Sequence, residues 1–224
     1  MTASPVPAPP WLTALAARTD VGEHEWFATY APPEGHARRS AVLMLFGPDP
    51  SGGEDVVLTE RSHTLRSHPG QVSFPGGRLD PEDDGSVAAA LREAEEEVGL
   101  DPAGVQVLAT FPDLFLSPSS NAVTPVLGWW PEPVPIGVVD RGEVETVVRV
   151  PVAELVDPAN RFTAVFGPYR GPAFEAGGLF VWGFTAMLLS TVLDLSDLAQ
   201  PWDERDERPL PDRVLSPWMK GLQQ

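Results

Sequence analysis

The sequence predicts an α+β fold, an α/β/α sandwich on a mixed β-sheet. Short apolar runs of strand length recur between Ala41 and Val181, bounded by turn residues. Two longer segments, near residues 86–98 and 182–195, carry helical patterning. Strands and helices mix without the regular βαβ rhythm of an all-parallel sheet.

In chain order, the first ten residues hold four prolines and read as an extended arm, followed by a short helix around Trp11 to Arg18. Tyr30 to Ser40 is polar and reads as loop. AVLMLF (Ala41–Phe46) and VVLT (Val56–Thr59), joined by PDPSGGED, read as a hairpin. A loop runs from Arg61 to Gly85. Ser86 or Asp84 is placed to cap a helix that runs to Val98 and is stopped by Gly99 and Pro102. Strands are expected near Val105–Phe111, Ala122–Trp130, Val144–Val150, Phe162–Phe166 and Leu179–Val181, and a closing helix over Trp182–Leu195. The resulting organisation is an arm and short helix over residues 1–35, one domain over 36–198, and a charged, Pro-rich mobile tail over 199–224.

Composition narrows the function classes. The chain has 224 residues, 15 Lys+Arg, 32 Asp+Glu and a formal charge of −17. Phosphate neutralisation needs a basic surface, so a nucleic-acid binder is disfavoured, and an anionic ligand requires a local inversion of sign. Absence of cysteine removes disulfides, thiolate zinc sites and thiol nucleophiles. The first residues, MTASPVPAPPWLTALAAR, lack the basic and apolar regions of a signal peptide, and a cytoplasmic location is expected. The longest uncharged run, between Glu175 and Asp194, contains three glycines and no flanking Lys or Arg, so it reads as a strand feeding a buried helix instead of a membrane span.

Within the helix after Ser86, Glu93, Glu96 and Glu97 stand at i, i+3 and i+4, which puts three carboxylates on a stripe about 100° wide. Glu95 falls outside it, and Val87, Leu91, Ala94 and Val98 form a separate face for packing. Like charges at this spacing repel, and a divalent cation reverses the sign; oxygen ligands without His or Cys favour Mg²⁺, Mn²⁺ or Ca²⁺ over zinc. A merely solvated acidic face is the alternative. Against it stand Gly76 and Gly77 just upstream, which let backbone approach a ligand, and Arg92, placed to orient the Glu93 carboxylate.

The stretch Gly77–Leu100, GRLDPEDDGSVAAALREAEEEVGL, resembles the Nudix box: Gly, five residues, Glu, seven residues, then Arg-Glu-U-x-Glu-Glu-x-Gly-U. Arg92, Glu93, Ala94, Glu96, Glu97, Gly99 and Leu100 match position by position. The first half departs, since Asp83 keeps the first spacing and Asp84 the second, and neither is Glu. Leu58–Asp80, LTERSHTLRSHPGQVSFPGGRLD, resembles the additional signature of coenzyme A pyrophosphatases. NAVTPVLGWW, EVETVVRVP and VWGFTAMLL are also similar to that subfamily.

The resemblance implies a Nudix fold that hydrolyses the pyrophosphate of coenzyme A or acyl-CoA. It implies Mg²⁺ or Mn²⁺ held by Glu93, Glu96, Glu97 and the Gly76 carbonyl, with Arg92 orienting Glu93. Arg61, Arg66, Arg78, Arg92, His63 and His68 crowd into one short stretch and supply the local positive charge an anion needs. Arg61, Arg66, His68, Gln71 and Arg78 are the candidate substrate contacts. His68 serves the loop or the substrate, Gln71 bonds loop backbone or substrate, and His63 reads as exposed. Glu143 or Glu145 offers a further ligand or the general base. Trp129, Trp130, Phe111 and Phe115 read as core and groove wall. The expected partner is a small molecule, with neither nucleic acid nor membrane; the oligomeric state, a homodimer included, is left open. Two rivals stand beside this reading: hydrolysis of another nucleoside diphosphate compound such as ADP-ribose or NADH, and a ligand-sensing domain without catalysis.

Overall fold

The computed structural model describes residues 5–33, 38–65, 68–116 and 120–215. Helices are α1 (Pro10–Ala16), α2 (Glu25–Thr29), α3 (Gly85–Val98), α4 (Val152–Val156) and α5 (Gly183–Leu195). Strands are β1 (Arg38–Pro48), β2 (Glu54–Arg61), β3 (Val72–Ser73), β4 (Gly76–Arg78), β5 (Gln106–Thr110), β6 (Leu114–Leu116), β7 (Asn121–Trp129), β8 (Val144–Pro151), β9 (Arg161–Phe166), β10 (Tyr169–Ala176), β11 (Leu179–Val181) and β12 (Glu207–Pro209). Contacts divide the chain into two units, Met1–Pro48 with Phe74–Ile136, and Asp49–Ser73 with Gly137–Gln224. The α+β class and a mixed sheet are both observed.

In the first unit β7 is central. It runs parallel to β1 from Arg38↔Asn121 to Phe46↔Trp129 and antiparallel to β5 and β6. Strand β4 pairs antiparallel with β1, from Ser40↔Arg78 to Val42↔Gly76. Strands covered on both faces read as continuous apolar runs, which is why Ala41–Phe46 carries no alternation. Helix α3 packs on β1 and β4 through the small side chains Ala89, Ala90 and Ala94 together with Val98. It ends where Gly99 adopts φ +73° and donates its N–H to Glu95 O at 3.0 Å.

The expected side-chain cap at the start of α3 is not formed. Asp84 occupies the cap position without a capping bond, and the Ser86 hydroxyl donates instead to Thr124 Oγ1, 3.0 Å away. Thr124 in turn donates to Asp113 Oδ1 at 2.5 Å, so Ser86 is spent on tertiary structure. The polar stretch up to Ser40 is shorter than expected as a loop, because β1 already begins at Arg38. Trp129, Trp130 and Phe111 are buried and Phe115 half-buried, as core. The Trp129 indole donates to Val6 O at 2.8 Å, fastening the N-terminal arm.

In the second unit β2 pairs antiparallel with β8 and β3, and a separate sheet runs β11-β10-β9-β12. Helix α5 lies against β10 with Leu188, Leu189 and Val192 buried. Asp55 on β2 is only 2% exposed and pairs with Arg149 at 2.8 Å. Burial outweighs the arginine and pushes its carboxyl up to about 6.

The expectation of a mobile tail from residue 199 is corrected as far as Leu215. Strand β12 pairs parallel with β9, and Arg208 lies 4.3 Å over the Phe162 ring while bonding Asp206. Leu210 and Val214 are buried beside Phe162, Ala164, Ala173 and Phe180. Among the described residues no helix is long and apolar enough to cross a membrane; the uncharged run after Glu175 forms the end of β10, then β11 and α5.

Candidate active site

The first unit gathers the acidic residues around a strand, β4, that opens with two glycines. Gly76 has φ +151°, and a Cβ there would collide with the Ala41 carbonyl oxygen. A Cβ on Gly77 would overlap the carboxylate of Glu93. Gly76 therefore lets β1 backbone close on β4, and Gly77 lets α3 lay the Glu93 carboxylate on it. Glu97 reaches the same strand, its Oε2 accepting the Gly76 N–H at 3.0 Å.

Arg92 organises the remainder. Its Nε and Nη2 donate to the two carboxylate oxygens of Asp83, each at 3.0 Å, and Nη2 also donates to Arg78 O at 3.0 Å. Nη1 donates to Glu93 Oε1 at 3.1 Å and to Glu96 Oε2 at 3.0 Å. The Arg92 bond holds the Asp83 carboxyl below the usual carboxylate range, and Arg92 is itself pushed upward chiefly by Asp83, so both stay charged. Asp83 also accepts the Asp80 N–H at 2.8 Å, which closes the loop between β4 and α3. Of the two aspartates left open by the box spacing, Asp83 does this work and Asp84 is exposed.

Glu93, Glu96 and Glu97 differ widely in burial, which their common stripe on the helix did not predict. Glu97 is 4% exposed and belongs to the packing face with Ala90, Ala94 and Val98, whereas Val87 and Leu91 are only half-buried. Glu96 has 59% of its side chain exposed, and Glu93 lies between these extremes. The packing face is rotated toward Glu97 because Gly76 offers an N–H there that a carboxylate can satisfy.

The donor set suits a hard divalent cation in kind: carboxylate and carbonyl oxygens, no histidine, and a Cβ-free cradle. Asp83, Glu93 and Glu96 share one guanidinium and Glu97 adds a fourth carboxylate at the Gly76 N–H, which leaves the cluster net negative. Among the described residues, no group of three His, Asp or Glu side chains stands in an arrangement that holds an ion. Glu93 and Glu96 face Arg92 and Glu97 faces the Gly76 N–H, so cation binding would draw carboxylates away from these partners.

The substrate candidates divide between the units. Arg78 belongs to the first, where its carbonyl meets Arg92. Arg61, His68 and Gln71 belong to the second and build one loop there: Arg61 N–H donates to Gln71 O at 2.9 Å, Gly70 N–H to Arg61 O at 3.1 Å, and His68 Nδ1 bonds Gln71 Oε1 at 2.9 Å. These contacts give His68 and Gln71 a loop-holding role. Arg66 lies outside the described residues. His63 is exposed and sits 3.4 Å from Glu60. Glu143 and Glu145 are exposed, and the Glu143 carbonyl accepts the Ser62 N–H at 2.7 Å.

Arg38 and Arg39 stand outside the sequence candidates. With Arg78, Leu79, Asp80 and Pro81 they line a shallow groove of about 430 Å³. The adjacent arginines at the start of β1 were the available signal, in a chain otherwise poor in positive charge.

The comparisons with known proteins agree with this geometry. The uncharacterized Nudix hydrolase NudL of Escherichia coli K12 is 38% identical over 157 residues, covering 68% of this chain and 79% of the relative. A Shigella boydii NudL matches to the same extent. The solved structure of RenU, a Nudix hydrolase from M. smegmatis, is 19% identical with a TM-score of 0.52 and covers 78% of this chain and 98% of that one; it speaks to the fold. A family model for the NUDIX domain matches residues 36–168, a span that contains the glycine strand, Asp83 and the whole of α3. Sequence, cluster geometry and relatives converge, and the chain belongs to the Nudix hydrolase family.

Proposed function

We propose that the protein is a divalent-cation-dependent pyrophosphohydrolase of coenzyme A or acyl-CoA, yielding 4′-phosphopantetheine, or its acyl form, and adenosine 3′,5′-bisphosphate. The observation that carries the substrate is the Leu58–Asp80 signature, LTERSHTLRSHPGQVSFPGGRLD, which leads directly into the glycine strand. ADP-ribose or NADH hydrolysis needs the acidic cluster without requiring that signature.

The reaction adds water across a phosphoanhydride: one P–O bond forms, the bridging P–O bond breaks, and two phosphate monoesters leave. Bound Mg²⁺ or Mn²⁺ supplies charge neutralisation at the diphosphate and a lower pKa for the attacking water. Gly76 O, Glu93, Glu96 and Glu97 are the groups that would hold it. Arg92 keeps Glu93 and Glu96 in position and is itself held by Asp83 and Arg78 O. The missing Cβ atoms at Gly76 and Gly77 let the β1 backbone and the Glu93 carboxylate close against β4. Arg78, whose carbonyl meets Arg92, supplies positive charge for the phosphates; Arg61 and Arg66 are proposed as substrate contacts on the signature alone.

The test is to incubate the protein separately with CoA, NADH and ADP-ribose in Mg²⁺ and identify products by mass. Phosphopantetheine and the bisphosphate from CoA support the proposal. Cleavage of ADP-ribose or NADH with CoA left intact moves the assignment to another nucleoside diphosphate, and no cleavage of any of the three favours the sensing domain.

A further inference from the structure

We propose that the groove lined by Arg38, Arg39 and Arg78 is a phosphate-monoester subsite that reads the 3′-phosphate on the ribose of the substrate. The assignment rests on the CoA reading above and adds to it the residues that discriminate CoA from its dephosphorylated form. In a chain of net charge −17, three guanidinium groups around one groove form a local inversion of sign. All three arginines are exposed at the groove. Among the described residues, Asp113 approaches Arg39 at 3.7 Å, and Asp80, which also lines the groove, lies 3.8 Å from Arg92.

The backbone beneath the groove is fixed. Strands β1 and β4 pair at Ser40↔Arg78, and Leu79 N–H donates to Arg39 O at 3.0 Å. The arginines therefore arise from paired strands, which fixes the backbone from which they reach the groove. The volume of about 430 Å³ suits a small-molecule site. Guanidinium forks match the geometry of phosphate oxygens.

Position along β4 connects the groove to the reaction centre. Arg78 presents its side chain to the groove and its carbonyl to Arg92, while Gly77, one residue earlier, abuts Glu93. A ribose carrying a 5′-diphosphate and a 3′-phosphate holds two anionic groups one sugar ring apart, and the cluster and the groove are correspondingly adjacent. No substrate lacking the second phosphate uses the groove fully.

The experiment compares wild type with Arg38→Gln, Arg39→Gln and the double variant, leaving Arg78 intact. Two readouts are taken in Mg²⁺ buffer: binding of adenosine 3′,5′-bisphosphate against 5′-AMP by calorimetry, and kcat/KM for CoA against dephospho-CoA. Wild type should bind the bisphosphate on the order of ten- to a hundredfold more tightly than 5′-AMP, the range expected of charge-assisted contacts. The double variant should lose most of that ratio, and its kcat/KM should fall about tenfold more for CoA than for dephospho-CoA. Equal falls for CoA and dephospho-CoA, or an unchanged bisphosphate preference, would overturn the subsite while leaving CoA hydrolysis standing. Arginine-dependent bisphosphate binding without any CoA cleavage would instead sustain the subsite and overturn the substrate reading.

Discussion

Replacing Gly77 with alanine should disable the site without unfolding the protein. The backbone at Gly77 needs no left-handed conformation, and the atoms that a new methyl would meet are the three of the Glu93 carboxylate, at the end of a flexible side chain. Ordinary contact lies near 3.5–4.0 Å, so the carboxylate must retreat by about 1 Å. Misplacement of that size at a reacting centre costs about a hundredfold in rate, or about 3 kcal/mol of barrier. Stability should move by less than about 1 kcal/mol, because glycine's lost backbone freedom offsets the weakened Arg92–Glu93 contact. Gly76→Ala is the contrast. Its φ of +151° and the Ala41 carbonyl in its path cost about 1–3 kcal/mol or more of fold stability. Thermal melts and steady-state kcat on both variants test the reasoning. A Gly77→Ala protein with wild-type kcat would show that the Glu93 position is not used, and one that melts as early as Gly76→Ala would show that the carboxylate cannot yield.

Activity should vanish in EDTA and return with Mg²⁺ or Mn²⁺, while full activity in chelator would remove the cation from the account. Glu97→Gln should lose rate and metal affinity together and Glu95→Gln should behave as wild type; equal losses at both would contradict the burial of Glu97 alone. Arg92→Ala should lower kcat ten- to a thousandfold with folding kept by circular dichroism, whereas Arg66→Ala should chiefly raise KM for CoA; the reverse pattern would mean that positioning and substrate contact are exchanged. Asp55 titrates near 6 in the fold against about 3.9 unfolded, so the native state binds the extra proton and this group's contribution to stability falls as pH rises from about 4 to 6. Melting wild type and Asp55→Asn across that window should give curves that diverge, and parallel curves would show that Arg149 holds the carboxylate ionised at pH 4.

The acidic cluster was legible in the sequence because its parts are local. Box spacing places Gly77, Arg92 and Glu93, and one helix and one strand bring them together. What the helical wheel missed was Glu97, whose burial depends on an N–H at Gly76, 21 residues away. Strand β10, YRGPAFEA, carries neither alternation nor an apolar run, and its pairing with β9 and β11 is decided by tertiary partners. Strand β12 reads as a charged tail until Arg208 is seen stacked on Phe162. Strands β3 and β4 are too short, at two and three residues, for any period to register. Arg38 and Arg39 look like polar edge residues of β1, and only the pairing with β4 sets them beside Arg78.

Substrate identity is tested most directly by competition. CoA and ADP-ribose at equal concentration, with Mg²⁺ and wild-type protein in one vessel, are followed by phosphorus NMR, which resolves the two diphosphates as they disappear. Their relative rates give the ratio of kcat/KM without separate assays. CoA should be consumed at least about tenfold faster, as differential binding of a further charged group allows. Equal consumption, or ADP-ribose first, would contradict the account.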